Sequence, residues 1–498
     1  MPRLRLVGLV LTLLACQTVT RVGLPAATST PLPLIALDDL SVFKAGLLPA
    51  EQARLNEFAG ATRYQLDITL DDDLQHVQGH AHILYTNQET ETLTELYVRL
   101  YPNFLGGASE VSQVQVNGAK AQTQFKLQDS LMIITLPEPL AVGASLTLDM
   151  DFAVTVPTDA ERNYGILASV DDILTLAHFY PALAVYDQTG WNAEIPPDQG
   201  DVTYLDAAFF LVRVTAPSEQ TLIASGVAIA HETNDATQTV TFAAGPMRDF
   251  YLVASDRFKT QSQTVDGVTI TSYAPAEFDE ASQYALDAAA EAVKIYNQRV
   301  GAYPYTELDL ISTPTLALGV EYPGAVALTL EMYDLENARN GRTAALQTLD
   351  AVVAHEVGHQ WFYGLIGNDQ LDEPWLDESL AQYATMLYFQ DRYGSEAGQG
   401  FREALEARWN RALDKDTPIG LPVSAYENGY SAIVYGRGPL FVATLAEQMG
   451  AEKFDAFLHT YFRDYEYRVA TTADFKRVAE EACGCDLTNL FEEWVYKQ

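Results

Sequence analysis

Two histidines four residues apart, His355 and His359, fall on one face of any helix that contains them, so both imidazoles can reach one metal ion. Glu356 lies between them in His355-Glu356-Val357-Gly358-His359, near enough to hold a water beside such an ion without being a ligand. Eighteen residues separate His359 from Glu378, which stands in Trp375-Leu376-Asp377-Glu378-Ser379 on what should be the next helix. Two histidines and a glutamate leave zinc one open position for water and substrate, the donor set of a hydrolytic centre. One zinc per chain is expected, bound by His355, His359 and Glu378, with Glu356 as general base.

The chain that must position these groups has 498 residues, too many for one core and enough for two to four domains. Its composition is 48% hydrophobic and 19% charged, which excludes a largely disordered protein. Acidic residues outnumber basic ones 67 to 30, a formal net charge of −37 that argues against a nucleic-acid partner. There is no phosphate-binding glycine loop, so no nucleotide is expected, and no Gly-x-Ser-x-Gly elbow or Cys-x-x-Cys pair.

From Ala61 to Phe258 the pattern is that of strands, and the expected structure is antiparallel β. Tyr64 to Leu70 alternates, and His82 to Tyr85, Leu131 to Leu136, Leu146 to Val154 and Ala208 to Thr215 continue the run. His80 and His82 share a strand face, read as solvated, with a second metal as the lesser alternative. After Lys259, short strands bracket a helix over Glu280 to Val300, and helical spacing dominates from Thr343 onward, with Gly394 and Gly450 as helix stops.

The first residues read as an address. Arg3 and Arg5 precede an apolar run from Leu6 to Leu14, too short to span a bilayer and suited to a signal peptide over 1–16. The run ends Leu13-Leu14-Ala15-Cys16, similar to the lipobox of bacterial lipoproteins, which implies lipidation of Cys16, a membrane partner through that anchor and a cell-envelope location. Secretion with a free cysteine is the alternative. Residues 17–50 read as a flexible tether. Cys483 and Cys485 are too close to form a metal site alone, and a disulfide between them is expected to be strained.

The motif, its spacing and its surroundings together resemble the gluzincin zinc metallopeptidases related to aminopeptidase N and leukotriene hydrolase. The resemblance implies a family tyrosine in a Tyr-x-Lys/Arg-Gly context, which Tyr435-Gly436-Arg437-Gly438 fits, and a second tyrosine, matched by Tyr430. Tyr435 would donate to the oxyanion of the reaction. The family's Gly-x-Met-Glu-Asn segment has a partial match in Leu318-Gly319-Val320-Glu321-Tyr322, which keeps the glutamate and departs at its first, third and fifth positions. Glu321 would pair with a substrate α-amino group, with Gly319 and Tyr430 as further substrate contacts. A second amine-holding group is expected upstream of Phe179-Tyr180-Pro181, where Asp171 and Asp172 stand, a pair that a turn also explains. Asp377 is expected to orient a ligand.

The fold implied is multidomain, with an N-terminal antiparallel, saddle-like β domain over 51–260 and a thermolysin-like α+β zinc peptidase domain over 261–498. Only about sixty residues follow Tyr435, so the large C-terminal helical domain of many relatives is expected to be missing and the cleft more open. The function expected is zinc-dependent removal of N-terminal amino acids from peptides at the cell surface. The alternatives are an endopeptidase or other zinc hydrolase on the same site, or a non-catalytic surface scaffold.

Overall fold

The computed structural model describes residues 39–197 and 199–496. The signal segment 1–16, the lipidation of Cys16 and the tether as far as residue 38 lie outside the described residues. Residues 41–50, expected as the end of the tether, are folded. Ser41–Gly46 and Gln52–Phe58 form 3-10 turns. Phe43 and Leu47 are buried, the Phe43 ring lies 4.7 Å from that of Phe209, and the Leu48 amide donates to the Pro304 carbonyl at 2.8 Å. Covering these two apolar side chains offsets the entropy of ordering so short a segment.

The β half is built on an eight-stranded sheet. Its order is Val227–Thr233, Thr237–Met247, Ala208–Pro217, Arg63–Leu70, His76–Thr86, Ser145–Thr155, Ala108–Val116 and Ala119–Lys120. Leu66, Ile68 and Leu70 alternate into the core, as period two requires. Every neighbouring pair is antiparallel except one: Arg63–Leu70 runs parallel to Ala208–Pro217, with Leu66 opposite Val212. The antiparallel expectation therefore holds for the sheet apart from this one pair. The two strands are far apart in sequence, and the rest of the domain is the long crossover that a parallel pair needs. Two four-stranded sheets and a two-stranded ribbon complete this half among the described residues, one of the four-stranded sheets containing the hairpin Leu167–Val170 and Ile173–Leu176.

The α+β half begins with a five-stranded sheet in the order Phe258–Val265, Val268–Pro275, Glu307–Thr313, Ala325–Thr329 and Gly319–Tyr322, the last at an edge. Helix α1, Asp279–Arg299, presents the small residues Ala285, Ala288, Ala289 and Ala292 on its buried face, which allows close packing. The helices that follow are α2, Leu330–Tyr333, α3, Arg342–Gly358, α4, Trp375–Tyr393, and α5, Ser395–Trp409. Gly394 closes α4 and Gly450 closes Gly438–Met449, as their spacing indicates. Asp350 of α3 is buried and accepts hydrogen bonds from Tyr388 at 2.6 Å, Tyr393 at 2.9 Å and Arg392 at 3.0 Å, all on α4. That knot holds α3 and α4 at a fixed crossing.

Arg248 fastens the two halves. Its side chain is 1% exposed and donates to the carbonyls of Leu205 at 3.1 Å, Tyr363 at 2.9 Å and Arg468 at 2.6 Å. Cys483 and Cys485 are disulfide-bonded, with Cα atoms 5.2 Å apart. Among the described residues no helix is long and apolar enough to cross a membrane.

Candidate metal centre and cleft

His355 lies in the last turn of α3, His359 caps that helix, and Glu378 is in the first turn of α4. Their donor atoms form a near-equilateral triangle. His355 Nε2 is 3.2 Å from His359 Nε2, and each Nε2 is 3.2 Å from Glu378 Oε2. Ligands about 2.0–2.1 Å from a tetrahedral ion lie about 3.3 Å from one another. His359 Nδ1–H donates to the Phe362 carbonyl at 3.0 Å, which leaves Nε2 with its lone pair turned into the triangle.

The field around the triangle calls for a cation. Burial opposes a charge on His359, yet the carboxylates of Glu321, Glu378 and Glu356 outweigh it and raise its proton affinity well above the ordinary imidazole value. Burial likewise opposes ionisation of Glu378, but His355 and His359 hold its carboxyl below the usual range. Donor type, spacing and field all fit zinc, and His355, His359 and Glu378 are the zinc site.

Glu356 is 5% exposed, and burial, with Glu321 and Glu378 nearby, raises its carboxyl well above the usual range although His359 opposes this. It packs directly on Gly319: a Cβ at that position would stand 2.5 Å from the Glu356 side chain. The expected substrate contact Gly319 is therefore, first, the surface that lets the base reach its place.

Tyr435 belongs to a π-helical turn, Ile433–Arg437, a widening found often at functional sites. Its hydroxyl donates to Glu378 Oε1, so it arrives at the zinc triangle. The flanking residues explain its local sequence. A Cβ on Gly436 would lie 2.7 Å from the Trp409 backbone, so only glycine lets the turn sit against the end of α5. Arg437 is buried, donates to the carbonyls of Thr417 and Glu493, and lies over the rings of Trp409 and Trp494. Tyr430 lines the same cleft, its ring 5.8 Å from that of Tyr435.

Glu321 sits on the edge strand Gly319–Tyr322, is 7% exposed, and accepts from Gln370 Nε2 at 3.1 Å. The same amide nitrogen donates to Asp377 Oδ2 at 2.8 Å, and Thr203 donates to Gln370 Oε1 at 3.1 Å. Asp377 also accepts from the Glu378 amide at 2.8 Å, in keeping with an orienting role. Asp201 joins this group. Burial and the charges of Glu321, Glu378 and Asp377 raise its carboxyl well above the usual range. Asp201, Thr203 and Gln370 have no spacing signal in the sequence, because they come from irregular segments that reach the site only through tertiary packing.

Asp171 and Asp172 do not join it. They form the two-residue turn of the hairpin Leu167–Val170 and Ile173–Leu176, with φ of 53° and 58°. Their carbonyls accept from Arg257 and Ser255 instead. His80 and His82 stand opposite acids on the neighbouring strand, with His80 Nδ1 2.8 Å from Asp151 and His82 Nδ1 2.6 Å from Asp149. That is a polar strand face.

The zinc triangle, Glu356, Tyr435, Tyr430, Glu321 and Asp201 line one cavity of about 1660 Å³, with Asp377 buried behind its wall. The fold, an N-terminal β domain beside an α+β domain, is similar to that of a two-domain M1 zinc metallopeptidase of known structure, with a TM-score of 0.68 at 19% identity over 88% of this chain and 95% of that one. Residues 284–494 match the Peptidase family M1 domain. Over 479 residues, 90% of this chain, it is 24% identical to Aminopeptidase M1-A of Oryza sativa subsp. japonica, covering 51% of that protein. It is 25% identical to Aminopeptidase N of Lactococcus lactis subsp. lactis, with 73% of this chain and 46% of that one covered. The chain thus spans about half the length of these curated relatives. The crystal structure of an M1 zinc metallopeptidase from Deinococcus radiodurans superposes with a TM-score of 0.68 at 20% identity, covering 87% of this chain and 94% of that one.

Proposed function

We propose that this protein is a zinc-dependent aminopeptidase that removes N-terminal residues from peptides. The observation that carries the reading is the pair of acids Glu321 and Asp201, which line the same cleft as the zinc triangle, with Asp377 buried behind them and joined to Glu321 through Gln370. Such an acidic pole is complementary to a substrate's α-ammonium group and would fix the first peptide bond at the metal. A variant of the Deinococcus radiodurans enzyme binds the peptide Tyr-Ser-Ala, which supports a peptide substrate here.

His355, His359 and Glu378 would hold the zinc, which when bound would supply a Lewis acid for the water and the peptide carbonyl. Glu356, beside the triangle and lining the same cavity, accepts the water proton and passes it to the departing amine. Tyr435 turns its hydroxyl from Glu378 to the carbonyl oxygen as that oxygen gains charge. Glu321 and Asp201 hold the ammonium group throughout.

Export and membrane anchoring through Cys16 are part of the same proposal. They are supported by the sequence alone, from Arg3 and Arg5 through the apolar run to Cys16. Cys16→Ser should move the protein from the membrane fraction to the soluble one; a wild-type chain already soluble would overturn the anchor.

The activity is tested with one short basic peptide and its N-acetylated twin, each with and without a chelator. Chelator-sensitive release from the free-amine peptide alone is expected. Cleavage of both would make the enzyme an endopeptidase, and cleavage of neither by zinc-loaded protein would overturn the peptidase reading.

A further inference from the structure

Helix α5 turns one face to the cleft. Phe401, Ala404, Leu405 and Arg408 recur at helical spacing and all line the cavity, and Arg411 follows just past the helix end. Three apolar positions therefore lead to a pair of guanidinium groups. The end of the helix is held in place because Gly436 of the π-helical turn packs against the backbone of Arg408 and Trp409.

Arg408 is half-buried, with its guanidinium carbon 5.3 Å from the centre of the Tyr435 ring. Among the described residues it has no ion pair and no side-chain hydrogen bond. In this chain that is unexpected, since acids outnumber bases 67 to 30. On the same helix the outward-facing Arg402 pairs with Glu447 at 2.6 Å. A basic residue in the last turn complements the helix dipole, but that accounts for the charge and not for its direction into the cleft. Burial lowers the proton affinity of Arg408 and the nearby Arg411 adds to the effect, although Tyr435 and the zinc-site carboxylate of Glu378 oppose it. A desolvated cation beside a second one is a costly arrangement unless an anion completes it.

The two poles of the cleft are carried by different elements. Glu321 is on the edge strand that packs on α3, whereas Arg408 is on α5, which packs on α4. The zinc ligands come from α3 and α4.

We propose that Arg408 and Arg411 form an anion subsite that binds the free α-carboxylate of a short peptide whose amino end is held by Glu321 and Asp201. The preferred substrates are then di- and tripeptides with an unblocked C-terminus, products of earlier endopeptidase cleavage. The inference rests on the aminopeptidase reading for the direction in which the peptide lies.

The test uses the full chain loaded with zinc and carrying Glu356→Gln to stop turnover, with binding read by calorimetry. The probes are Leu-Gly-Gly, its C-terminal amide and its N-acetyl derivative. Amidation should weaken binding about tenfold or more, the scale of one lost charge-assisted pair. Adding Arg408→Gln or Arg411→Gln should abolish the difference between acid and amide, while Arg408→Lys should retain part of it. Equal binding of acid and amide, absence of binding by either, or an Arg408→Gln effect equal on both would overturn the subsite. The last result would leave Arg408 as a support for Tyr435 only. The acetylated probe separates the two readings: insensitivity to acetylation with sensitivity to amidation would overturn the amine pole and keep the carboxylate subsite.

Discussion

Tyr435 donates its hydroxyl proton to Glu378, the carboxylate that also faces both imidazoles of the zinc site. In the proposed mechanism the oxyanion donor is thus stored on a metal ligand and would turn away from it to serve the substrate. Tyr435→Phe should keep the metal and lower kcat about a hundred- to a thousandfold, as for other lost oxyanion donors. Metal analysis and steady-state kinetics check it; a variant that loses zinc would show that the hydroxyl's main work is holding Glu378.

The closeness of Gly319 to Glu356 makes a second test. A methyl at 319 would stand 2.5 Å from a movable side chain and not from backbone, so the chain should still fold while the base is displaced. Gly319→Ala is expected to lower kcat about ten- to a hundredfold, since small misplacements at a reacting centre are expensive. Its melting temperature should stay near that of the wild type. A large fall in stability with kcat unchanged would contradict this account.

Removal of the metal should destabilise the protein, because three donor atoms 3.2 Å apart are left facing one another in a buried, acidic site. Chelation is expected to lower the melting temperature, and added zinc to restore it in proportion to the logarithm of its free concentration. A melting temperature indifferent to both would mean that the triangle does not hold an ion in the folded chain.

The helices that carry the ligands are themselves locked by Asp350. Its carboxylate, 3% exposed, gathers Tyr388, Arg392 and Tyr393 of α4. Asp350→Ala leaves a guanidinium and two hydroxyls without their acceptor and should cost about 3 kcal/mol. Urea unfolding measures the loss, and zinc affinity should fall with it. Asp350→Asn, which keeps an acceptor, should cost less.

How much of this could be read from the sequence follows from the range over which each feature is determined. The donors His355 and His359 were legible because four residues make about one helical turn, and Glu378 because the next helix begins a short loop later. Tyr435 was legible only through the resemblance of Tyr435-Gly436-Arg437-Gly438 to a family context, and the structure explains the glycine at 436 by its close packing on the end of α5. Asp201, Thr203 and Gln370 were not, because no local period brings irregular segments to the same place. Asp171 and Asp172 had the right neighbours in sequence, but two adjacent residues with φ near 55° serve the backbone of a turn. The parallel pairing of Arg63–Leu70 with Ala208–Pro217 depends on a partner far along the chain, and Phe43 and Leu47 could be recognised as folded only from the surface they cover.

Asp369, in the loop between α3 and α4, gives a pH-dependent test away from the zinc ligands. Burial pushes its carboxyl up to about 6, even though the amides of Leu371 and Asp372 donate to it. An acid whose pKa is higher in the folded chain than in the unfolded one binds more protons when folded between the two values. Its contribution to stability is therefore lost as pH rises from about 4 to about 6 and stays lost above that, by at most ~3 kcal/mol. Asp369→Asn keeps the oxygen that accepts the two amides and removes the charge. The variant should match the wild type near pH 4 and become progressively more stable than it up to pH 7, in denaturant unfolding followed at fixed ionic strength. A stability difference that does not change with pH would show that the Asp369 carboxylate carries no burial penalty.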